Sequence, residues 1–234
     1  MSWSLSYQSA RNPELTDALL LAAGKTLYLA NAFEGKCKYV LKMFNFAETI
    51  NADPVLTLEQ VFASLPKDKM LGGTLQDIMQ LSIGNDSSTA ALLDKARRAR
   101  NFVAHEGAAV GAIWLLRKQA VVQRASLLRS AVSDLAAGDN LVSSWCHEID
   151  EREPAPQGLK ADYPAMVDKW VFSSLDVALA SVDLADDREP TLREQLNWRA
   201  EALASSRNQL KREAEEPDAP RRVGLGAERD RSVE

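Results

Sequence analysis

From Asn12 onward, apolar side chains recur every three or four positions: Leu15, Leu19, Ala22, Thr26, Leu29, Phe33, Cys37, Val40 and Phe44. Such a register returns to one face of a helix at every turn, and Pro13 suits the first turn, where a backbone N–H has no intrahelical partner. One long amphipathic helix is predicted. Thr57, with Gln60 three residues later, reads as a capping box opening a shorter helix that carries Leu58, Val61, Phe62 and Leu65 and stops at Pro66. Gly72-Gly73 reads as a turn opening a third helix, with Leu75, Ile78, Met79 and Leu81 inward and Gly84 and Asn85 ending it.

Asp86 to Ser88 offer N-caps to the next helical region, which continues to Gly138-Asp139-Asn140, read as a break. So long a region exceeds an ordinary globular helix, and a kink or break is expected between Gly107 and Gly111. Past Pro154 and Pro156, Met166, Trp170, Val177 and Leu184 predict a further helix. A Thr191-x-x-Glu194 capping box predicts another, on Leu192, Leu196, Leu203 and Leu210. No run alternates as a strand does, so the fold class is all-α. Short early connections favour an antiparallel up-and-down bundle over residues 12–150, followed by a helical extension over 151–214. Residues 215–234 hold few large apolar side chains and are expected to be a disordered tail.

Charge sharpens this picture. The net charge is −5, but residues 1–150 hold 15 acidic and 15 basic side chains, whereas residues 151–234 hold 18 and 13. The neutral N-terminal part is compatible with a local basic site for a polyanion. The acidic C-terminal part is suited to docking a basic partner or shielding that site. The apolar run "ALLLAAG" is cut by Lys25, so no membrane span is expected. Cys37 and Cys146 are far apart and no apolar segment follows a basic start, which points to a reducing cytoplasm rather than a disulfide framework.

Several chemistries are weighed and set aside. With His105 and His147 the only histidines, and no CxxC pair, soft ligands are too few for zinc, and no metal or cofactor is expected. "LGGT" lacks the Gly-Lys-Ser/Thr of a phosphate loop and a strand before it. Cys146 and His147 are adjacent, so on a helix they point about 100° apart and pair poorly. Trp114, Trp145, Trp170 and Trp198 sit in helical patterns and read as core or interface anchors. Glu34 reads first as a solvated carboxylate among lysines, and is a candidate site residue only if the first helix flanks the arginine-rich one.

The stretch "DKARRARNFVAHE", Asp94 to Glu106, holds the remaining candidate chemistry. On a helix Asn101 and His105 share a face, with Arg97 and Arg98 one turn earlier. Arg100, five residues before the histidine, falls about 140° away. Its long side chain, a local helix break or a second copy of the chain would be needed to bring it to the histidine. One reading is a solvated basic helix face. The other is RNA cleavage by internal attack, in which histidine moves protons near neutrality and arginine holds phosphate oxygens. Asn101 would donate to a phosphate oxygen or orient the imidazole. Lys95, Arg97 and Arg98 would track the RNA backbone, and the reaction requires no metal.

"RNFVAH", Arg100 to His105, resembles the R-x4–6-H motif of the HEPN superfamily, and lies in a helical region after shorter helices and before a long one. The resemblance covers about residues 12–150. It implies a helical bundle and a metal-independent endoribonuclease of the kind found in toxin–antitoxin, abortive-infection and other anti-phage systems. It also implies Arg100, Asn101 and His105 as catalytic residues, a homodimer with a composite site, and an antitoxin or defence-system protein as partner. Gly107 stands where one toxin branch carries a tyrosine modified by a partner nucleotidyltransferase, so that mode of neutralisation is not implied. A catalytically silent HEPN module that binds RNA, nucleotides or a protein is the other function class these residues allow.

Overall fold

The computed structural model describes residues 12–67, 69–81, 83–84, 86–107, 118–182, 191–194, 196–197, 200–201, 204 and 207–208. Six helices are bounded among them: α1 (Pro13–Ala52), α2 (Leu58–Ser64), α3 (Leu71–Ile78), α4 (Ser87–Glu106), α5 (Lys118–Glu151) and α6 (Gln157–Ser181). No strand occurs among the described residues, so the all-α class holds there. No described helix is long and apolar enough to cross a membrane. The chain divides into two compact units, Met1–Arg188 and Glu189–Glu234. In the second, Thr191 and Glu194 form the predicted capping box: Glu194 accepts from the Thr191 N–H at 2.8 Å, and Thr191 Oγ1 accepts from the Glu194 N–H at 3.3 Å. Leu192 and Leu196 are exposed there, while Leu184, Leu203, Leu210 and the expected tail lie outside the described residues.

The period of α1 dictates its packing. Leu15, Leu19, Ala22, Thr26, Leu29, Phe33, Cys37 and Val40 are all buried, and Phe44 is half-buried. The two buried threonines of this helix satisfy their hydroxyls on the preceding turn, Thr16 on Asn12 O at 3.0 Å and Thr26 on Ala22 O at 2.8 Å. The Thr57–Gln60 capping box opens α2. Gly72 and Gly73 lie inside the first turn of α3 rather than in a turn before it. That helix ends at Ile78, short of the expected stop at Gly84, with Leu71, Thr74, Leu75 and Ile78 inward and Met79 half-buried.

α1 and α5 are the central pair, and α4 and α6 each pack on both of them. Lys36 meets Asp139 and Tyr39 meets Asp150, so α1 and α5 run in the same direction. Arg124 donates to Glu106 O and Ala96 packs at Gly138, so α4 runs antiparallel to α5. Asn140 bonds Lys160 O while Arg129 pairs with Asp176, so α6 is antiparallel to α5 too. α6 thus lies in the first compact unit, packed on α1 and α5.

Gly138-Asp139-Asn140 does not break the chain; α5 is continuous from Lys118 to Glu151. Each of the three has a packing role. A Cβ on Gly138 would stand 2.4 Å from Ala96 Cβ and 3.3 Å from the Phe33 ring, so glycine is required for α4 and α1 to approach α5 this closely. Asp139, fully buried, accepts two hydrogen bonds from Lys36 Nζ (3.0 and 2.9 Å) and one from the Tyr163 hydroxyl of α6. Asn140 answers a defect in α6: Pro164 has no N–H to offer Lys160 O, and Asn140 Nδ2 donates to that carbonyl at 2.8 Å.

The buried face of α6 is Val167, Val171, Phe172 and Leu175, whereas Met166, Trp170 and Val177 are exposed, the reverse of the sequence expectation. α6 carries apolar residues on both sides, and the hydrogen bond from Tyr163 to Asp139 selects the one that turns inward. α4 ends at Glu106 with Gly107 as its C-cap, and the rest of the stretch in which a kink or break is expected, through Gly111, lies outside the described residues.

Gly138→Ala is expected to destabilise the protein by about 1–3 kcal/mol through overpacking, despite alanine's better helix propensity. Gly24→Ala and Gly35→Ala, where an added Cβ meets nothing within 4 Å, should stabilise it by roughly 0.5–1 kcal/mol each. Asn140→Ala should cost about 1–3 kcal/mol by leaving Lys160 O without its donor. Urea unfolding of the four variants checks these signs, and a stabilising Gly138→Ala would refute the close-approach account.

Candidate functional site

α4 carries the arginine-rich stretch, and its start is fixed by Asp86, whose carboxylate accepts from the N–H of Ser88 at 2.9 Å and of Thr89 at 3.0 Å. Hydrogen bonds from Ser88 and Thr89 hold that carboxyl well below its usual range. From this cap, Leu93, Ala96, Ala99 and Val103 are buried. The same register leaves Lys95, Arg98, Asn101 and His105 exposed and sets Arg97 and Arg100 at the margins. Asn101 and His105 therefore lie one turn apart on an open face. His105 has no hydrogen-bond or ion-pair partner among the described residues.

Arg100 turns the other way, toward α1. Its Nη2 donates to Glu34 Oε2 at 2.7 Å, with the side chains 24% and 17% exposed. The second oxygen, Glu34 Oε1, holds Lys38 Nζ at 3.0 Å. The first helix does flank the arginine-rich one there, and Glu34 is half-buried between Arg100 and Lys38 rather than solvated. Burial works to raise the Glu34 carboxyl, but the cations of Lys38 and Arg100 together outweigh it and the net shift is downward. Arg100 Nη1 reaches Asn101 Oδ1 only at 3.4 Å, and the buried Nε–H has no acceptor among the described residues. Arg100 is thus held by one strong contact rather than a two-point fork.

α4 is unbroken between Asn101 and His105, so Arg100 and His105 stay on different faces. A local helix break does not join them, and the long arginine side chain is directed to Glu34 instead. Of the three residues expected to track a backbone, Arg97 and Arg98 both pair with Asp94, at 2.8 and 3.0 Å. Lys95 has no such partner among the described residues. The two Asp94 pairs are partly exposed, Arg98 more than Arg97, and surface contacts of that kind are weak.

A second polar cluster went unread in the sequence. Lys36 Nζ donates to Asp139 and to Ser143 Oγ at 2.9 Å, and the Tyr163 hydroxyl, pushed up first by burial and then by its bond to Asp139, completes it. Its signal was present: Leu128, Val132, Leu135, Asp139 and Val142 continue one helical stripe, so Asp139 occupies a core position. The Lys36–Ser143 contact has the look of a base and nucleophile. Lys36 Nζ donates to both oxygens of Asp139 as well as to the serine, the arrangement of a structural hydrogen-bond donor.

Cys146 is pushed up to about 11, chiefly by burial, so its thiol stays protonated near neutrality and is a poor nucleophile. Trp145 is a core residue, Trp170 is partly exposed beside Tyr28, and Trp114 and Trp198 lie outside the described residues. Among the described residues no three His, Cys, Asp or Glu side chains converge as a metal site would require. No family model, curated protein or solved structure matches the chain.

The lowered Glu34 value makes a signed pH prediction. Its ion pairs contribute stability that is present above the ordinary glutamate value of 4.5 and is lost as pH falls through the lowered value. Glu34→Gln should therefore be less stable than the parent at neutral pH and should close that gap on acidification. Thermal unfolding from pH 7 to pH 3 checks this, and a gap that widens in acid would contradict it.

Proposed function

We propose that the chain is a HEPN-type endoribonuclease that works without a metal, in a toxin–antitoxin or anti-phage setting, with its active site shared between two copies. The observation that supports this most is the open face of α4 on which Asn101 and His105 stand one turn apart, with the Arg100 backbone beside them. A reactive imidazole must be reachable by substrate, and this one is.

In the proposed reaction the ribose 2′-oxygen attacks phosphorus and the bond from phosphorus to the 5′-oxygen breaks. A 2′,3′-cyclic phosphate and a free 5′-hydroxyl result. A base removes the 2′-hydroxyl proton and an acid supplies one to the departing 5′-oxygen, and histidine fills either role near neutrality. With two copies, one His105 serves each role. Arg100, released from Glu34, neutralises charge building on the phosphate oxygens, and Asn101 donates to one of them. A second copy also answers the separation of Arg100 and His105 on a single α4.

A second reading is favoured by the Glu34–Arg100 pair, which already matches the motif arginine's charge. In that reading the chain is a silent HEPN module that binds RNA, a nucleotide or a protein partner without cleaving.

Purified protein should cleave single-stranded RNA in EDTA and leave cyclic phosphate ends. His105→Ala and Arg100→Ala should each lower the rate by at least about a hundredfold while remaining folded by circular dichroism. Mixing an excess of His105→Ala with the parent should suppress the parent's activity if one composite site needs the histidines of both copies. Full activity in His105→Ala would end the nuclease reading, and RNA binding without products would favour the silent one.

A further inference from the structure

α2 and α3 pack against the C-terminal half of α1 and leave a groove of about 190 Å³ between the three helices. Its charged lining is Lys38, Lys42, Lys67, Lys69 and Asp77. Asp77 is already paired with Lys69 at 2.7 Å, and Lys38 with Glu34. Lys42 and Lys67 have no carboxylate partner among the described residues, so the groove keeps unmatched positive charge. Phe62 also lines it and stays 51% exposed, although Phe46 packs on it at 5.5 Å between ring centroids and Lys42 Nζ stands 5.8 Å from its own.

A half-exposed aromatic ring among unpaired lysines is what a single-stranded nucleic acid recognises, because the ring stacks on a base and the ammonium groups take the flanking phosphates. Ion pairs link the groove to Arg100 of α4: Lys38 meets Glu34 at 3.0 Å, and Glu34 meets Arg100 at 2.7 Å.

We infer that this groove is a binding site for single-stranded RNA, seating one base on Phe62 and the adjoining phosphates on Lys42 and Lys67, beside the α4 motif. The site rests on the endoribonuclease reading for its purpose, but not for its chemistry. It differs from the guides expected on α4, since Asp94 already engages Arg97 and Arg98 whereas Lys42 and Lys67 are unmatched.

The test is fluorescence anisotropy of the full chain with a labelled oligouridylate, with His105→Ala as the non-cleaving background. In that background Phe62→Ala should weaken binding by about tenfold or more. Lys42→Gln with Lys67→Gln should weaken it comparably and flatten the dependence of log Kd on log salt by roughly one and a half. These two lysines are exposed, so their variant keeps the test open if Phe62→Ala fails to fold. In the active chain the groove variants should raise KM and leave kcat at saturating RNA close to the parent's.

Unchanged affinity in the groove variants would overturn this site while leaving the nuclease reading intact. Groove-dependent binding without cleavage by the parent would do the reverse. Absence of RNA binding would overturn both. A polyglutamate peptide that binds as tightly as the RNA, with no dependence on Phe62, would overturn the RNA assignment in favour of an acidic protein partner.

Discussion

The bundle depends on one buried carboxylate. Asp139 has no exposed surface, and removing a charge from water costs several kcal/mol unless hydrogen bonds replace its hydration. Those bonds come from two other helices, Lys36 on α1 and Tyr163 on α6. The requirement is directional in a way that apolar packing is not. Leucines on facing helices tolerate a small slide, whereas a carboxylate that must meet an ammonium and a phenol fixes both rotation and register. The flanking residues tighten the same point: Gly138 admits Ala96 of α4, and Asn140 satisfies the carbonyl that Pro164 leaves open. Within three residues, α5 is tied to each of its neighbours.

That junction also sets what α1 presents elsewhere. Glu34 and Lys38 are one turn apart and share a face, while Lys36 lies roughly 200° from Glu34 at the helical angle per residue. With Lys36 committed to α5, Glu34 is turned to α4 and Lys38 to the groove beside α2 and α3. A single turn of helix thereby serves the core, the motif arginine and the basic groove, and a rotation of α1 would disturb all three together.

Much of this was legible because it follows from local rules. The apolar register of α1, the Thr57 and Thr191 capping boxes and the Asp86 cap depend on residues within four positions of one another, and the structure has them as read. Gly138-Asp139-Asn140 was misread for a physical reason. Glycine, aspartate and asparagine are breakers only when nothing compensates them, and here the compensation comes from Ala96, Lys36, Tyr163 and Lys160, all distant in sequence. The α6 face failed likewise: Tyr163, Val167, Val171 and Leu175 form the inward stripe, but an equally apolar set competes with it until Asp139 is placed. On α4 the exposure of Asn101 and His105 was legible from period alone, whereas the attachments of Arg100 and Arg97 depend on carboxylates whose positions no local rule supplies.

The bridging geometry of Glu34 bears on how readily the motif arginine can serve a substrate. Were Arg100 to leave the carboxylate oxygen that it holds through a single nitrogen, Glu34 would not be stranded, because its other oxygen still has Lys38 at 3.0 Å. A half-buried carboxylate with one cation remaining costs much less than one with none. Exchange of Glu34 for a phosphate at Arg100 is therefore a trade of one anion for another in a partly solvated setting, with little net change in charge pairing. The limit comes from the same residue. If an RNA strand also drew Lys38 away, Glu34 would face phosphates on both sides with no cation of its own, so phosphates that bind without repulsion fall on Lys42 and Lys67 rather than on Lys38. The carboxylate that positions Arg100 thus also determines that Lys38, unlike Lys42 and Lys67, enters the groove already paired.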